Sequence, residues 1–279
     1  MKFDRQSKTL IVILGVAVAG VLLGTANRTL SLGINPEVLG TVILGAPALL
    51  LVLHSVWSLG AARSAFFILL AAVTGLLFEI WGLTTGTVFG GRYVYNGPGL
   101  QLWGVPYVIP IYWAVFIYAA YSITNAFLRW RGAGKPARGR SKFTALVPLI
   151  ALDGLITVLL DLILDPVKVH EGAWTWLDGG SYFGIPLGNF AGWFIVTILV
   201  TGIFRVYEYF RPRHIEIHPA LSLLPVVAYG TMGLALGLAA LSYSMYAVAA
   251  LSLVLMLPVS LANMAYFASW RRHGSIKSK

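Results

Sequence analysis

The sequence predicts an all-α integral membrane protein, a polytopic bundle of about eight transmembrane helices. Three observations carry that class. Apolar residues fill 58% of the 279 positions and charged residues only 11%, where a soluble domain carries about 25% charged residues. Mean hydropathy is correspondingly high, at +0.81. The apolar residues gather into eight runs near the length of roughly 20 residues that crosses a bilayer. The basic residues sit in alternate connections rather than throughout the chain. This pattern excludes an ordinary water-soluble fold, a disordered chain and a coiled coil. The absence of cysteine excludes disulfides, thiolate nucleophiles, Cys-ligated zinc and iron–sulfur clusters.

The spans are expected at 9–26, 37–57, 64–87, 105–128, 143–165, 187–209, 219–240 and 244–269. The first has a short apolar run, 10–23, behind Lys2, Arg5 and Lys8. No clean small-x-small cleavage site follows, so it is expected to be kept as a span rather than removed as a signal peptide. The stretches 87–104, 129–142 and 166–186 are loops too short for a soluble domain. The whole chain, 1–279, therefore reads as one membrane domain. The last two spans contain no charged residue. Gly233 and Gly237 give them a small-x-x-x-small pair suited to close helix packing, and 219–270 reads as a scaffold hairpin.

Charge sets the expected orientation. Lys2, Arg5, Lys8, Arg63, Arg129, Arg131, Lys135, Arg138, Arg140, Lys142, Arg205, Arg211, Arg213, Arg271, Arg272, Lys277 and Lys279 fall on one side; Arg28, Arg92 and Lys168 fall on the other. The rule that basic loops stay inside places both termini in the cytoplasm and the third and fifth loops outside the cytoplasmic membrane. It also disposes of a nucleic-acid partner, because the basic residues fringe the spans, where anionic lipid headgroups account for them.

Two segments resemble each other. Tyr93-Val94-Tyr95, Gly104-Val105-Pro106 and Trp113 match Trp174-Thr175-Trp176, Gly184-Ile185-Pro186 and Trp193, at offsets of 81, 80 and 80. Both units, 64–130 and 143–210, run helix, outer loop, Gly-x-Pro, helix, and both leave from and return to the cytoplasmic side. The expected result is a parallel repeat of two hairpins around one cavity. Proline suits the first turn of the returning helix, where its missing N–H has no partner in any case. Tyr93, Tyr95, Trp103, Tyr107, Tyr112, Trp113, Trp174, Trp176, Tyr182, Phe183 and Trp193 gather at one end of four helices. Each alone suits an interfacial belt; together they suggest an aromatic pocket.

Four of the ten acidic residues fall inside spans: Glu79, Asp153, Asp161 and Asp165. An intramembrane acid is costly, by about 2.5–3.5 kcal/mol at the centre, and is by default a functional hypothesis. Asp161 and Asp165 share a helix face through their i, i+4 spacing. Glu79 lies 82 residues before Asp161, close to the repeat offset. No lysine or arginine is placed inside the membrane to pair with these acids, and Arg92, alone in its loop, is positioned to reach down to Glu79. A carboxyl group kept protonated by apolar surroundings can serve as a proton donor. Asp165, before Pro166, also suits a helix end, and Asp153 a helix-packing hydrogen bond. His54 reads as a helix-bonding residue and His170 as a weak candidate for a proton shuttle. His214 and His218 have metal-like spacing in a basic loop between prolines, but no metal site is expected. There is no nucleophile elbow, phosphate loop or dinucleotide fingerprint.

These motifs resemble a known family. Glu79-x-x-Gly82-x-x-x-Gly86-x-x-Phe89-Gly90-x-x-Tyr93-x-Tyr95, followed by Gly104-Val105-Pro106 and Trp113, is similar to the carotenoid biosynthesis family that includes the CruF-type carotenoid hydratases. Asp161-x-x-x-Asp165-Pro166, Trp174-x-Trp176, 182–186 and Asn189-Phe190-x-Gly192-Trp193 agree with it. The resemblance covers about 60–210. It implies cofactor-free addition of water across a terminal double bond of an acyclic carotenoid end group, giving a tertiary alcohol. The implied substrate is a C50 precursor of bacterioruberin in archaea and γ-carotene, lycopene or a related C40 pigment in bacteria. The basic balance of this chain leans toward the C40 type. The substrate would lie in the bilayer, and other enzymes of the pathway are candidate partners.

The residues fit that chemistry. An alkene must first be protonated to a tertiary carbocation and then captured by water. Glu79 or Asp161 is the candidate acid, with a second carboxylate, from Asp165 or Asp153, holding water as base. Arg92, Tyr93, Tyr95, Trp113, Trp174, Trp176, Tyr182, Asn189 and Trp193 are the candidate substrate-binding residues. Aromatic faces stabilise a nearby cation by roughly 0.5–2 kcal/mol each. The competing readings are a carotenoid cyclase, a membrane prenyltransferase using the 161–165 acids, and a proton-coupled transporter.

Overall fold

In a computed structural model, the described residues are 4–97, 99–130, 143–213, 215 and 217–276. Among them eight helices are long and apolar enough to cross a membrane. The protein is an all-α polytopic bundle. Its helices are α1 (Arg5–Leu30), α2 (Pro36–Leu59), α3 (Ala61–Thr85), α4 (Val108–Trp130), α5 (Leu146–His170), α6 (Leu187–Phe210), α7 (Pro219–Ser242), α8 (Tyr246–Leu251) and α9 (Leu257–Ile276). A π-helical turn, Ser252–Met256, joins α8 to α9 within the last span. Short strands β1 (Tyr93–Tyr95), β2 (Gln101–Leu102), β3 (Val105–Pro106) and β4 (Trp174–Trp176) lie in the third and fifth loops. Much of the basic loop after α4, with Arg131, Lys135, Arg138, Arg140 and Lys142, lies outside the described residues, as do Lys2, His214, Lys277 and Lys279.

Local chemistry sets the helix ends. Asp4 caps α1, its side chain accepting from Ser7 N at 2.9 Å. Pro219 opens α7, capped by the His218 ring, which accepts from Ala220 N. Gly86 closes α3 in the left-handed region, its N–H donating to Gly82 O at 2.8 Å. The last two spans pack closely at two glycines of α7: a Cβ at Gly233 would lie 2.9 Å from Met256 Cβ, and one at Gly237 3.1 Å from Ser252 Oγ.

Helix α5 corrects the sequence reading. It does not stop near 165; it runs through Pro166 to His170. Asp165 is thus an interior helical residue rather than a helix end. A proline inside a helix leaves the carbonyl four residues earlier without its N–H. Here that carbonyl, Leu162 O, accepts from Tyr182 Oη at 2.9 Å. The same device recurs in α7, where Pro225 frees Leu221 O and His54 Nε2 bonds it at 2.7 Å. His54 Nδ1 bonds Tyr118 Oη at 2.8 Å, so this histidine ties three helices together.

The two Gly-x-Pro motifs build the same turn. Trp103 and Gly104 have φ of 50° and 84°, between Leu102 and its strand partner Val105. Phe183 and Gly184 have φ of 51° and 83°, between the bridge partners Tyr182 and Ile185. Two consecutive positive φ values define the tightest hairpin, and the second position takes glycine because it lacks a Cβ. Between these turns, β1 and β4 pair antiparallel: Tyr93 with Trp176, Val94 with Thr175, Tyr95 with Trp174. The aromatic core beneath spans α3, α4 and α6 and includes Phe67, Trp113, Tyr118, Tyr121 and Phe204.

Candidate functional site

The β1–β4 ribbon covers a small, partly open pocket. Its walls include Glu79 from α3, Ile109, Tyr112, Trp113 and Phe116 from α4, Leu164 and Asp165 from α5, Asn189 and Trp193 from α6, and Phe89, Tyr93, Tyr95, Trp174 and Trp176 from the loops.

Glu79 is buried and held by three donors. Tyr93 Oη and Tyr95 Oη donate to Oε2 at 2.6 and 2.8 Å, and Trp113 Nε1 donates to Oε1 at 3.0 Å. Burial first, and the charge of Glu79 second, push both phenols well above their ordinary range, so they keep their protons. A phenol can also accept, so the same cage accommodates a protonated or an ionised carboxyl. Small residues make room for it. A Cβ at Gly82 would lie 2.6 Å from the Phe89 ring and 2.8 Å from Tyr93 Oη.

Across the pocket, Asp165 accepts from Trp174 Nε1 at Oδ1 and from Asn189 Nδ2 at Oδ2, the latter at 2.8 Å. The same Asn189 nitrogen donates to Asp161 Oδ2 at 2.7 Å. One amide therefore bridges two carboxyl groups. Asp161 is fully buried behind this pair, and its Oδ1 has no hydrogen-bond partner among the described residues. Glu79 and Asp165 face the pocket; Asp161 reaches it through Asn189. The buried Trp176 N–H faces Asp165 without closing a hydrogen bond. Trp193 lies against Trp113, their centroids 4.1 Å apart.

Three expectations are corrected. Asp153 is not a member of the site. Arg205, assigned to a loop by sequence, lies inside α6 and grips Asp153 with two bonds, Nε to Oδ2 at 2.7 Å and Nη2 to Oδ1 at 2.8 Å. One of the four acids thus does have a basic partner within its span, about 3.3 helical turns from Asp165. Arg92 does not reach Glu79. It is exposed and pairs with Asp178 through its side chain and its backbone N–H. Those bonds hold Asp178 below the usual carboxylate range and raise the guanidinium. Tyr182 does not line the pocket; burial first and then Asp161 push its phenol up to about 12, and it serves the carbonyl freed by Pro166. Trp103, 76% exposed, and the exposed Tyr107 and Phe183 also stand outside the pocket.

Sequence reasoning missed Phe89, Ile109, Phe116 and Leu164 as pocket walls, because no chemical signal separates them from other apolar residues of the bundle. Among the described residues no group of three or more His, Asp or Glu is arranged to hold a metal ion. The His170 ring lies 4.4 Å from the Tyr243 ring, tilted by 45°.

A family model described as "Carotenoid biosynthesis protein" matches residues 37–259. Comparison with curated proteins gave no match, and neither did comparison with solved structures.

Proposed function

The chain belongs to the carotenoid biosynthesis protein family, and from that premise we propose that it is a cofactor-independent hydro-lyase, a carotenoid hydratase. Membership gives it a role in carotenoid biosynthesis, and the eight apolar helices fit a lipophilic substrate in the membrane. The finer reading rests on one observation above all. Two separately held carboxyl groups, Glu79 and Asp165, face one aromatic-walled pocket.

The acyclic end group of a carotenoid enters between them. Glu79 gives its proton to the less substituted carbon of the terminal double bond. A C–H bond forms, the π bond breaks, and a tertiary cation remains. Tyr93, Tyr95 and Trp113 then hold the carboxylate left behind, in hydrogen bonds already aimed at it. The faces of Trp174, Trp176 and Trp193 stabilise the cation. A water oriented by Asp165 forms the C–O bond, and its surplus proton passes to the Asp165–Asn189–Asp161 assembly. Return of one proton to Glu79 closes the cycle, so one water is consumed and no net proton.

The substrate reading stays with a C40 pigment such as γ-carotene or lycopene rather than the C50 precursor of bacterioruberin. The placement is the cytoplasmic membrane with both termini inside and the pocket toward the outer face, supported by the basic loops. We read 64–130 and 143–210 as sister hairpins. The matching turns at 103–104 and 183–184 support this, as does the register that sets Val94 opposite Thr175, 81 residues on.

The test is the pigment profile of a lycopene- or γ-carotene-producing host with and without the chain. A mass gain of one water is expected. Glu79→Gln and Asp161→Asn are each expected to abolish it at normal expression. A new ring without added water would instead make the protein a cyclase.

A further inference from the structure

Helices α5 and α6 carry a second, unexpected pattern. Asp153, Thr157, Asp161 and Asp165 recur every four residues along α5, and every one is buried. Asn189, Trp193, Thr197, Thr201 and Arg205 recur every four residues along α6; all but the half-buried Trp193 are buried too. Residues four apart share a helix face. Asn189 meets Asp165 and Asp161 at one end, and Arg205 meets Asp153 at the other, so the two stripes face each other along antiparallel helices. The seam from Asp165 to Asp153 is about 18 Å long at 1.5 Å per residue. It crosses much of a hydrocarbon core of about 30 Å.

The seam is polar in a place where polarity is costly, and two of its atoms are unserved. Thr157 Oγ1 donates to Asp153 O, and Thr201 Oγ1 donates to Thr197 O, each at 3.0 Å. Asp161 Oδ1 and Thr197 Oγ1, both fully buried, bond to no described residue. A buried polar group without a protein partner is the usual address of an internal water. At the far end, Arg205 also donates to Asn125 Oδ1 and lies over the Tyr121 ring, whose hydroxyl bonds the partly exposed Glu208. The polar path thus continues toward solvent.

We propose that the α5–α6 seam holds a file of internal water molecules that supplies the carboxyl site from the end opposite the pocket. The Asp153–Arg205 pair stands at the far end of that file. The purpose of the file rests on the hydration reading, in which one water is consumed per turnover. Water drawn through the seam reaches Asp161 first. The apolar pocket can then stay dry except for the one molecule that reacts.

The test is a structure of the full chain in lipid nanodiscs, at a resolution that shows ordered water, together with turnover of Thr197→Val and Thr197→Ser. Water within hydrogen-bond distance of Asp161 Oδ1 and Thr197 Oγ1 is expected. So is a loss of about tenfold in turnover for Thr197→Val at unchanged KM, and near-normal turnover for Thr197→Ser. A dry seam overturns the proposal, and so does unchanged turnover in a folded Thr197→Val. The water positions need no turnover to read. If the chain hydrates no carotenoid, the hydratase reading fails while the density alone still decides whether the seam is wet.

Discussion

Tyr182 donates its hydroxyl hydrogen to Leu162 O, the carbonyl that Pro166, lacking an N–H, cannot serve. The aromatic residue that the fifth loop seemed to offer to a substrate is thus engaged in keeping α5 intact beside Asp161 and Asp165. The relationship also explains how a proline sits within a helix without ending it.

Tyr182→Phe should therefore destabilise the protein by about 1 kcal/mol, the lower end of the cost of an unpaired carbonyl, because the bond is only part-buried. Pro166→Ala restores the missing N–H, so in the Tyr182→Phe background it should recover most of that loss. Thermal unfolding of the two single variants and the double variant gives the coupling energy. Additive effects would show that the hydroxyl and the proline are unrelated.

Gly75 and Trp113 set a second constraint. A Cβ at position 75 would lie 2.4 Å from Trp113 Cγ, closer than any real contact. Gly75→Ala must push the indole outward and pull its N–H away from Glu79. Overpacking of this kind costs about 1–3 kcal/mol. The activity cost should be larger, an order of magnitude or more in product formed, because the donor to Glu79 Oε1 is lost with it. Pigment analysis beside a melting curve separates the two effects.

The sequence showed a good deal of this, for physical reasons. Span number follows from hydropathy because lipid demands long apolar helices. Glu79, Asp153, Asp161 and Asp165 stood out because an acid in a span is expensive, and the aromatic tripeptides stood out as a repeat, although nothing in their spacing showed that they pair as a ribbon. Two kinds of fact were hidden. A basic residue near a span end reads as a loop charge until packing turns it inward, and Arg205 was assigned to the wrong place for that reason. Pairings between distant loops, such as Arg92 with Asp178 rather than Glu79, depend on the register of β1 against β4, which one-dimensional spacing leaves open.

That surface pair gives a pH prediction. Hydrogen bonds from Arg92, first from its side chain and then from its backbone N–H, lower the Asp178 carboxyl. A depressed carboxyl contributes stability that is present above its unfolded value, near 3.9, and is lost as pH falls through its folded value. Hydrogen exchange of the Tyr93–Tyr95 amides should therefore stay flat from pH 8 to pH 5, corrected for intrinsic rates, and quicken only below about 3.9. Asp178→Asn should quicken it at neutral pH and remove the acid step. The pair is exposed, so high salt should mimic part of the variant.

The Asp153–Arg205 pair should behave differently, because it is buried. Removing one member of a buried ion pair leaves the other charge unpaired, at a cost of about 3–5 kcal/mol. Arg205 cannot shed its charge, so Asp153→Leu alone should be the most damaging single change in the half of the bundle away from the pocket. Replacing both residues with apolar ones of similar volume often restores stability. Asp153→Leu with Arg205→Met should therefore melt close to the wild type, while each single variant melts well below it. If Asp153→Leu alone melts normally, the ion pair contributes nothing to the fold, and the structural role that sets Asp153 apart from the carboxyl groups at the pocket is lost.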